Sequence, residues 1–156
     1  LEEARIDEVM ADAVETITPA AAKRKIQIKL QAEEAWVRLE YDLFKTLLLN
    51  LMDNALKSGT DVVLVQGSCE NGQYKITITD RGRGIPPEDL EKITEAFYMV
   101  DKSRSRKEHG AGLGLALAVK IAQLHHTTLS YRSQPGQGTS VTFVLQKEAD
   151  DEEETD

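Results

Sequence analysis

The stretch Asp80-Arg81-Gly82-Arg83-Gly84-Ile85-Pro86 limits how this chain can fold more than any other. It follows Tyr74-Lys75-Ile76-Thr77-Ile78-Thr79, whose alternation predicts a strand with Tyr74, Ile76 and Ile78 on its buried face. Two glycines one residue apart allow a positive φ or the close approach of a ligand, and the prolines that follow stop the strand. The pattern predicts a fixed carboxylate acceptor beside bare backbone, although an ordinary turn could have the same sequence.

Composition limits the classes of protein that the chain can belong to. Its 156 residues, 40% of them hydrophobic, predict one domain with a substantial core. The formal net charge of −8 argues against a general nucleic-acid binder, which usually carries a basic face. Much of the acidity lies in residues 148–156, which we expect to be a disordered tail outside a domain of residues 1–147.

The lone cysteine and the lack of long apolar runs indicate the kind of cellular compartment that suits this chain. Cys69 has no partner for an internal disulfide or a cysteine-cluster metal site, which fits a reducing compartment such as the cytoplasm. No apolar run approaches the roughly 20 residues that span a membrane, and no signal peptide is visible. We therefore expect a segment without membrane contact, and its abrupt start suggests part of a longer protein.

The first 40 residues predict one helix and two strands. Apolar positions recur at helical spacing over residues 6–22, and short alternating runs follow at 26–30 and 35–39. The two runs flank a polar turn, so we expect them to form a hairpin. We also expect Trp36 to be a packing residue, because aromatic side chains are used mostly in cores.

Residues 41–57 predict the longest helix, with two distinct stripes. Its core-facing residues are Tyr41, Phe44, Leu47, Leu48, Leu51 and Ala55. Asn50, Asn54 and Lys57 form a polar stripe beside them. Asparagine is a poor helix former, and an unsatisfied buried amide costs about 1–3 kcal/mol. The two amides must therefore bond either to neighbouring backbone or to a ligand and its metal.

The rest of the chain predicts two hairpins separated by a helix-rich segment. Residues 62–66 and 74–79 flank Asn71-Gly72, a strong hairpin signal, and the strands at 127–132 and 139–146 form the second hairpin. A short helix is expected at 87–96. His125 and His126 lack a third ligand at motif spacing, so a metal site there is not expected.

A cationic loop precedes a glycine-rich helix start. Residues 97–109 lack a sustained period and carry more basic than acidic side chains, which fits either a solvated surface loop or contact with an anion. Gly110-Ala111-Gly112-Leu113-Gly114 then opens a helix, and unpaired N–H groups at such a start favour phosphate. The Gly-Lys-Ser/Thr ending of a phosphate loop is absent.

Taken together, these motifs resemble the ATP-binding catalytic domain of bacterial sensor histidine kinases, which share the Bergerat ATP-binding fold. The resemblance covers nearly the whole chain before the acidic tail. It rests on an asparagine box at residues 47–57, the stretch that begins at Asp80, a lid entrance at Phe97-Tyr98, the glycine box at Gly110, and a last box, Gly136-Gln137-Gly138-Thr139. It implies a two-layer α/β sandwich with a mixed sheet on about three helices.

The resemblance also implies ATP and Mg²⁺ as cofactors and a role for individual residues. Asp80 would accept from the adenine amino group, Asn54 would hold Mg²⁺, and Asn50 and Lys57 would place the phosphates, with Thr139 supporting Asp80. Gly82, Gly84, Gly110, Gly112 and Gly114 would give close backbone access. Further nucleotide contacts fall on Ile85, Tyr98, Lys102, Arg104, Leu113 and Leu115. Four residues depart from the family's pattern: Met99, Thr94, Ser58 and His126. These departures affect the expected packing of the lid and its contacts with the γ-phosphate, and they leave the adenine and Mg²⁺ assignments unchanged.

The implied function is transfer of the γ-phosphoryl group of ATP to a histidine on a dimerisation and phosphoacceptor domain of the same protein. A response regulator would act downstream, and the segment would be cytoplasmic, including as the cytoplasmic part of a membrane-bound sensor kinase. Relatives that hydrolyse ATP carry a glutamate where Asn50 stands, and an amide cannot accept a proton from water. The alternatives are a serine protein kinase of the same fold and a nucleotide-sensing module without transfer.

Overall fold

The computed structural model describes residues 1–82 and 110–147, which contain three helices and seven strands. The helices are α1 (Ile6–Lys23), α2 (Tyr41–Leu56) and α3 (Gly110–Leu124). The strands are β1 (Glu2–Arg5), β2 (Gln27–Ala32), β3 (Trp36–Leu39), β4 (Val62–Glu70), β5 (Gln73–Asp80), β6 (Ser130–Gln134) and β7 (Gly138–Gln146).

Five strands form one mixed sheet in the order β2-β4-β5-β7-β6. The β2–β4 pair is parallel and the other neighbours are antiparallel. β1 and β3 form a separate antiparallel pair. The three helices pack on the five-stranded sheet, which confirms the predicted two-layer α/β sandwich.

The core lies between α2 and the middle of the sheet. Tyr74, Ile76 and Ile78 of β5 are buried, as the alternation predicted. Phe44 of α2 is also buried and meets Phe143 of β7 edge to face, with ring centroids 6.0 Å apart. Because these large side chains come from one helix and two strands, they fix α2 over β5 and β7.

The hairpin predicted from residues 26–30 and 35–39 is wrong. β2 pairs in parallel with β4, Gln27 opposite Val62, whereas β3 pairs with β1, Trp36 opposite Arg5. Alternating apolar and polar residues indicate that a run is a strand, but they do not indicate which strand it pairs with. α2 lies in the connection between the parallel strands β2 and β4, as such a crossover requires.

Two aromatic side chains predicted to pack in the core are exposed instead. Trp36 on β3 is 53% exposed, so its predicted role as a packing residue is wrong. Tyr41 is 39% exposed at the start of α2, and its hydroxyl donates to Asp12 Oδ2 over 2.7 Å. That hydrogen bond to a carboxylate raises the pKa of Tyr41 to about 12. The first turn of α2 thus makes a polar contact with α1.

A buried histidine joins the end of α3 to the start of α2. The backbone N–H of Glu40 donates to His125 Nε2 over 3.0 Å, so Nδ1 carries the proton and donates to the Ile121 carbonyl over 2.8 Å. The ring also packs edge to face against Phe44. Both ring nitrogens are engaged by backbone groups, which ties the two helix ends together. Among the described residues no group of histidine, cysteine and acidic side chains could hold a metal.

The last hairpin is confirmed, with its first strand shifted to begin at Ser130 rather than at residue 127. The helix predicted at 87–96, the loop at 97–109 and the acidic tail at 148–156 lie outside the described residues. No helix in the described ranges is both long and apolar enough to cross a membrane.

Candidate functional site

Asp80 is the last residue of β5 and lies on the same face as the buried residues of that strand. It is 6% exposed, and its neighbours in the sheet are Val63 on β4 and Thr139 on β7. A buried carboxylate is costly unless it is hydrogen-bonded. The Asp80 carboxylate therefore needs hydrogen-bond donors at the edge of the core.

One oxygen of Asp80 is used locally. Asp80 Oδ1 accepts from the backbone N–H of Gly82 over 2.8 Å, which closes a side-chain turn directly after the strand. No described residue donates to Oδ2. The carboxylate is thus oriented by its own turn and retains one acceptor oxygen for another donor.

Two glycines let neighbouring segments approach this turn closely. A Cβ on Gly82 would overlap the carbonyl oxygen and hydroxyl of Ser58, at the end of α2. Gly138 has a φ of +92°, and a Cβ there would overlap the carbonyl oxygen of Asp80. The turn after Asp80 is therefore held between the end of α2 and the β6–β7 turn, with no room for a side chain on either glycine.

The predicted polar stripe of α2 ends next to Ser58, whose carbonyl and hydroxyl meet Gly82 in that turn. Asn50 Nδ2 donates to the carbonyl of Gly114 over 3.4 Å, which brings the stripe to the glycine-rich start of α3. Asn54 lies one helical turn before Ser58, and within the described part of the chain its half-buried side-chain amide makes no hydrogen bond. Its amide oxygen is therefore open to a ligand.

Lys57 is the cationic end of the stripe. Its Nζ lies 3.0 Å from Asp53 Oδ2, and both side chains are about half exposed. An exposed pair of this kind contributes about 0–1 kcal/mol, so an anion could replace Asp53 at little cost. Lys57 can therefore turn to a phosphate without disturbing the fold.

Thr139 faces Asp80 through the backbone register rather than through its hydroxyl. Its Oγ1 lies 2.9 Å from Ser133 Oγ, and the same Ser133 hydroxyl donates to the Gly138 carbonyl over 3.0 Å. These bonds stiffen the β6–β7 turn that crowds Asp80. The Thr139 hydroxyl is thus engaged within the β6–β7 turn, and among the described residues it makes no bond to Asp80.

The structure describes only some of the other residues that were predicted to contact the nucleotide. Gly110, Gly112, Leu113, Gly114 and Leu115 all lie in the first turns of α3, as the glycine box predicted. Gly84, Ile85, Tyr98, Lys102 and Arg104 lie outside the described residues. The described residues thus combine a carboxylate acceptor, an open amide and a helix start whose N–H groups favour anions.

Two positions next to the carboxylate were not assigned to the site from the sequence. Ser58 was treated as a departure from the family pattern, and Gly138 as a member of the last glycine box without a site role of its own. Both touch the Asp80 turn through segments remote in the chain, and a local pattern cannot show such an approach. The positive φ of Gly138 is what a glycine-rich hairpin turn could have suggested.

Comparison with known proteins shows the family of the chain. A family model described as histidine kinase-, DNA gyrase B-, and HSP90-like ATPase matches residues 40–149. The chain is 36% identical over 138 residues to the sensor histidine kinase YkoH of Bacillus subtilis, covering 88% of this chain and 30% of YkoH.

Solved structures resemble the chain over most of its length. The mycobacterial sensor histidine kinase MprB superposes with a TM-score of 0.75 at 26% identity, covering 94% of this chain and 97% of that one. Full-length ShkA in complex with AMPPNP superposes with a TM-score of 0.76 at 25% identity, covering 94% of this chain and 31% of ShkA.

Gly138→Ala should destabilise the protein far more than Gly136→Ala. Both glycines have positive φ, which costs an alanine about 1–2 kcal/mol, but only Gly138 lacks space, because its Cβ would overlap Asp80. We expect a loss in the free energy of unfolding of about 3 kcal/mol or more for Gly138→Ala and about 1 kcal/mol for Gly136→Ala. Urea denaturation measures both. Equal losses would show that the Asp80 contact does not constrain the turn.

Proposed function

Because this chain belongs to the histidine kinase-, DNA gyrase B- and HSP90-like ATPase family, we propose that it binds Mg-ATP and transfers the γ-phosphoryl group to a histidine. The acceptor histidine would lie on a separate dimerisation and phosphoacceptor domain of the same protein. The observation that carries the proposal is the buried carboxylate of Asp80, one oxygen of which accepts from Gly82 while no described residue donates to the other. The name of YkoH as a sensor histidine kinase and the AMPPNP complex of ShkA support it.

Asp80 would select adenine. Its Oδ1 is engaged by Gly82, so Oδ2 is the oxygen left to accept from an exocyclic amine. Guanine presents a carbonyl at the equivalent position, and two acceptors facing each other repel. The backbone of Gly82, bare because Ser58 fills the space of a side chain, would lie beside the base.

Asn54 would hold the metal. Mg²⁺ takes oxygen ligands and commonly uses one or two from the protein, with phosphates and water supplying the rest. The open amide oxygen of Asn54 fits that requirement, and a cluster of carboxylates is not needed. When bound, the ion would neutralise phosphate charge in the transition state.

The remaining side chains favour transfer over hydrolysis. Asn50 is fixed by its bond to the Gly114 carbonyl, and an amide cannot act as a general base toward water. Lys57 would add positive charge beside the phosphates. In the proposed step an imidazole nitrogen of the acceptor bonds to the γ-phosphorus, the bond to the bridging oxygen breaks, and ADP leaves with that oxygen.

The partners follow from the same proposal. The phosphoacceptor domain would receive the phosphoryl group, and a response regulator would take it next. We place the domain in the cytoplasm, where ATP is available, as the cytoplasmic part of a sensor kinase. Neither a nucleic acid nor a membrane surface is expected to contact this segment, whose net charge is −8.

Asp80→Asn should weaken ATP binding about tenfold or more, because it removes a charge-assisted hydrogen bond worth about 1.5–3 kcal/mol. Asp61→Asn is the matched control, since Asp61 is exposed and pairs only loosely with Arg81 at 4.0 Å. Calorimetry with ATP and GTP measures affinity and base preference. Equal wild-type affinity for the two nucleotides would remove the role given to Asp80.

Asn54→Ala and Asn54→Asp should reduce ATP affinity with Mg²⁺ present and change it little when a chelator is present. The amide contacts the ion rather than the base, and folding should survive, because the side chain makes no bond among the described residues. Titrations with and without chelator, with circular dichroism as a folding check, measure this. Variant affinities equal to those of the wild type under both conditions would make Asn54 structural only.

The isolated chain should not label itself with γ-labelled ATP. His125 is buried with both ring nitrogens engaged, and the described part of the chain holds no histidine on an exposed helix face. Mixed with a dimerising helical hairpin that bears a histidine, the chain should transfer acid-labile, base-stable label to that hairpin. Label that survives acid would indicate a serine kinase, and ATP binding without any transfer would indicate a sensing module.

A further inference from the structure

Thr60 lies in the loop between α2 and β4, and its hydroxyl uses every hydrogen bond that it can make. It is 7% exposed. Oγ1 donates to the Val62 carbonyl over 2.6 Å and accepts from the Val62 N–H over 3.2 Å and from the Arg81 N–H over 2.9 Å. A hydroxyl has one proton and two lone pairs, so nothing remains for a ligand.

The hydrogen bond between Thr60 and the Arg81 N–H adds one contact beyond the last residue pair of the β4–β5 ladder. The last pair in the ladder joins Val63 and Asp80. Past that pair the Arg81 N–H finds a side-chain oxygen of the β4 side instead of a backbone carbonyl. This hydrogen bond is partly buried, so loss of the hydroxyl would leave the Arg81 N–H without its protein partner and loosen this peptide.

The two N–H groups that follow Asp80 are therefore both held by side chains. Thr60 holds that of Arg81, and Asp80 itself holds that of Gly82. The direction of the Asp80 carboxylate depends on both bonds, because the turn that Oδ1 closes begins with the Arg81 peptide. Thr60 thus acts on Oδ2, the oxygen left for a donor, without lying next to it.

We propose that Thr60 is a positioning residue for base recognition: its hydroxyl holds the Arg81 peptide so that Asp80 Oδ2 faces the exocyclic amine of adenine. The inference rests on the proposed binding of ATP. It assigns to Thr60 a part of the nucleotide selectivity and no contact with nucleotide.

Thr60→Val tests this, because valine keeps the shape and removes the hydroxyl. The readout is calorimetric affinity for ATP and for purine riboside triphosphate, which lacks the amine. Thr60→Val should weaken ATP binding about tenfold, which corresponds to about 1.4 kcal/mol, and leave the analogue within about twofold. Thr60→Ser should restore ATP affinity. Thr142→Val is the control, since the Thr142 hydroxyl bonds to Thr77 on the sheet, away from Asp80.

The outcomes separate the inference from the proposed function. Wild-type protein that does not bind ATP overturns the proposed function. If the wild type binds ATP, then equal ATP affinity for Thr60→Val, or equal losses for ATP and the analogue, overturns the role of Thr60. Should Thr60→Val not fold, hydrogen exchange at the Arg81 amide decides in the wild type. Protection supports the bond to Thr60, and exchange at the rate of an exposed amide overturns it.

Discussion

The period of two along β5 is the constraint on which the whole site depends. Asp80 shares a face with Tyr74, Ile76 and Ile78, and that face lies beneath α2. The carboxylate therefore comes out at the edge of the core rather than on the open side of the sheet. A register shift of one residue would send it to the opposite face and turn Thr79 inward. The same apolar packing that stabilises the sheet thus decides which way the acceptor points.

Helix α2 has a double role, because it covers the sheet and carries the two amides. It runs antiparallel to α3, since Asn50 meets Gly114 at one end of the pair and Glu40 meets His125 at the other. A helix tied at both ends and packed along its length has little freedom to rotate. The position of Asn54 is therefore determined by buried contacts made by other residues, as a precise binding site requires.

Local periodicity was enough to predict most elements from the sequence. The face of β5, the hairpin at Asn71-Gly72 and the helix α2 all depend on neighbours within a few residues, and the structure confirms them. The partner of β2 does not depend on such neighbours, so the hairpin predicted there was wrong. Trp36 is exposed because Val37 and Leu39 take the buried face of β3, which leaves Trp36 on the opposite face.

The residues of the candidate site also fall into two groups: those that sequence motifs predict and those that they do not. Asp80 and the asparagines belong to ordered motifs, and the sequence was enough to propose them. Ser58, Thr60 and Gly138 act on the Asp80 turn from loops remote in the chain, and a lone serine or threonine in a loop gives no signal. Side chains that shape a turn without touching a ligand become visible only when the segments are placed together.

The pairing of Asp80 with Thr139 also indicates the order in which parts of the sheet form during folding. The β4–β5 hairpin closes across a tight turn, whereas β7 must return from far along the chain to complete the sheet beside Asp80. Closing a long loop costs entropy before its contacts form, so docking of β7 is expected among the later events. By the same topology, a local opening that released only β6 and β7 would remove the β6–β7 turn that packs against the Asp80 turn. The candidate site would then be lost transiently while the rest of the sheet and the packing of α1 on α2 stayed intact.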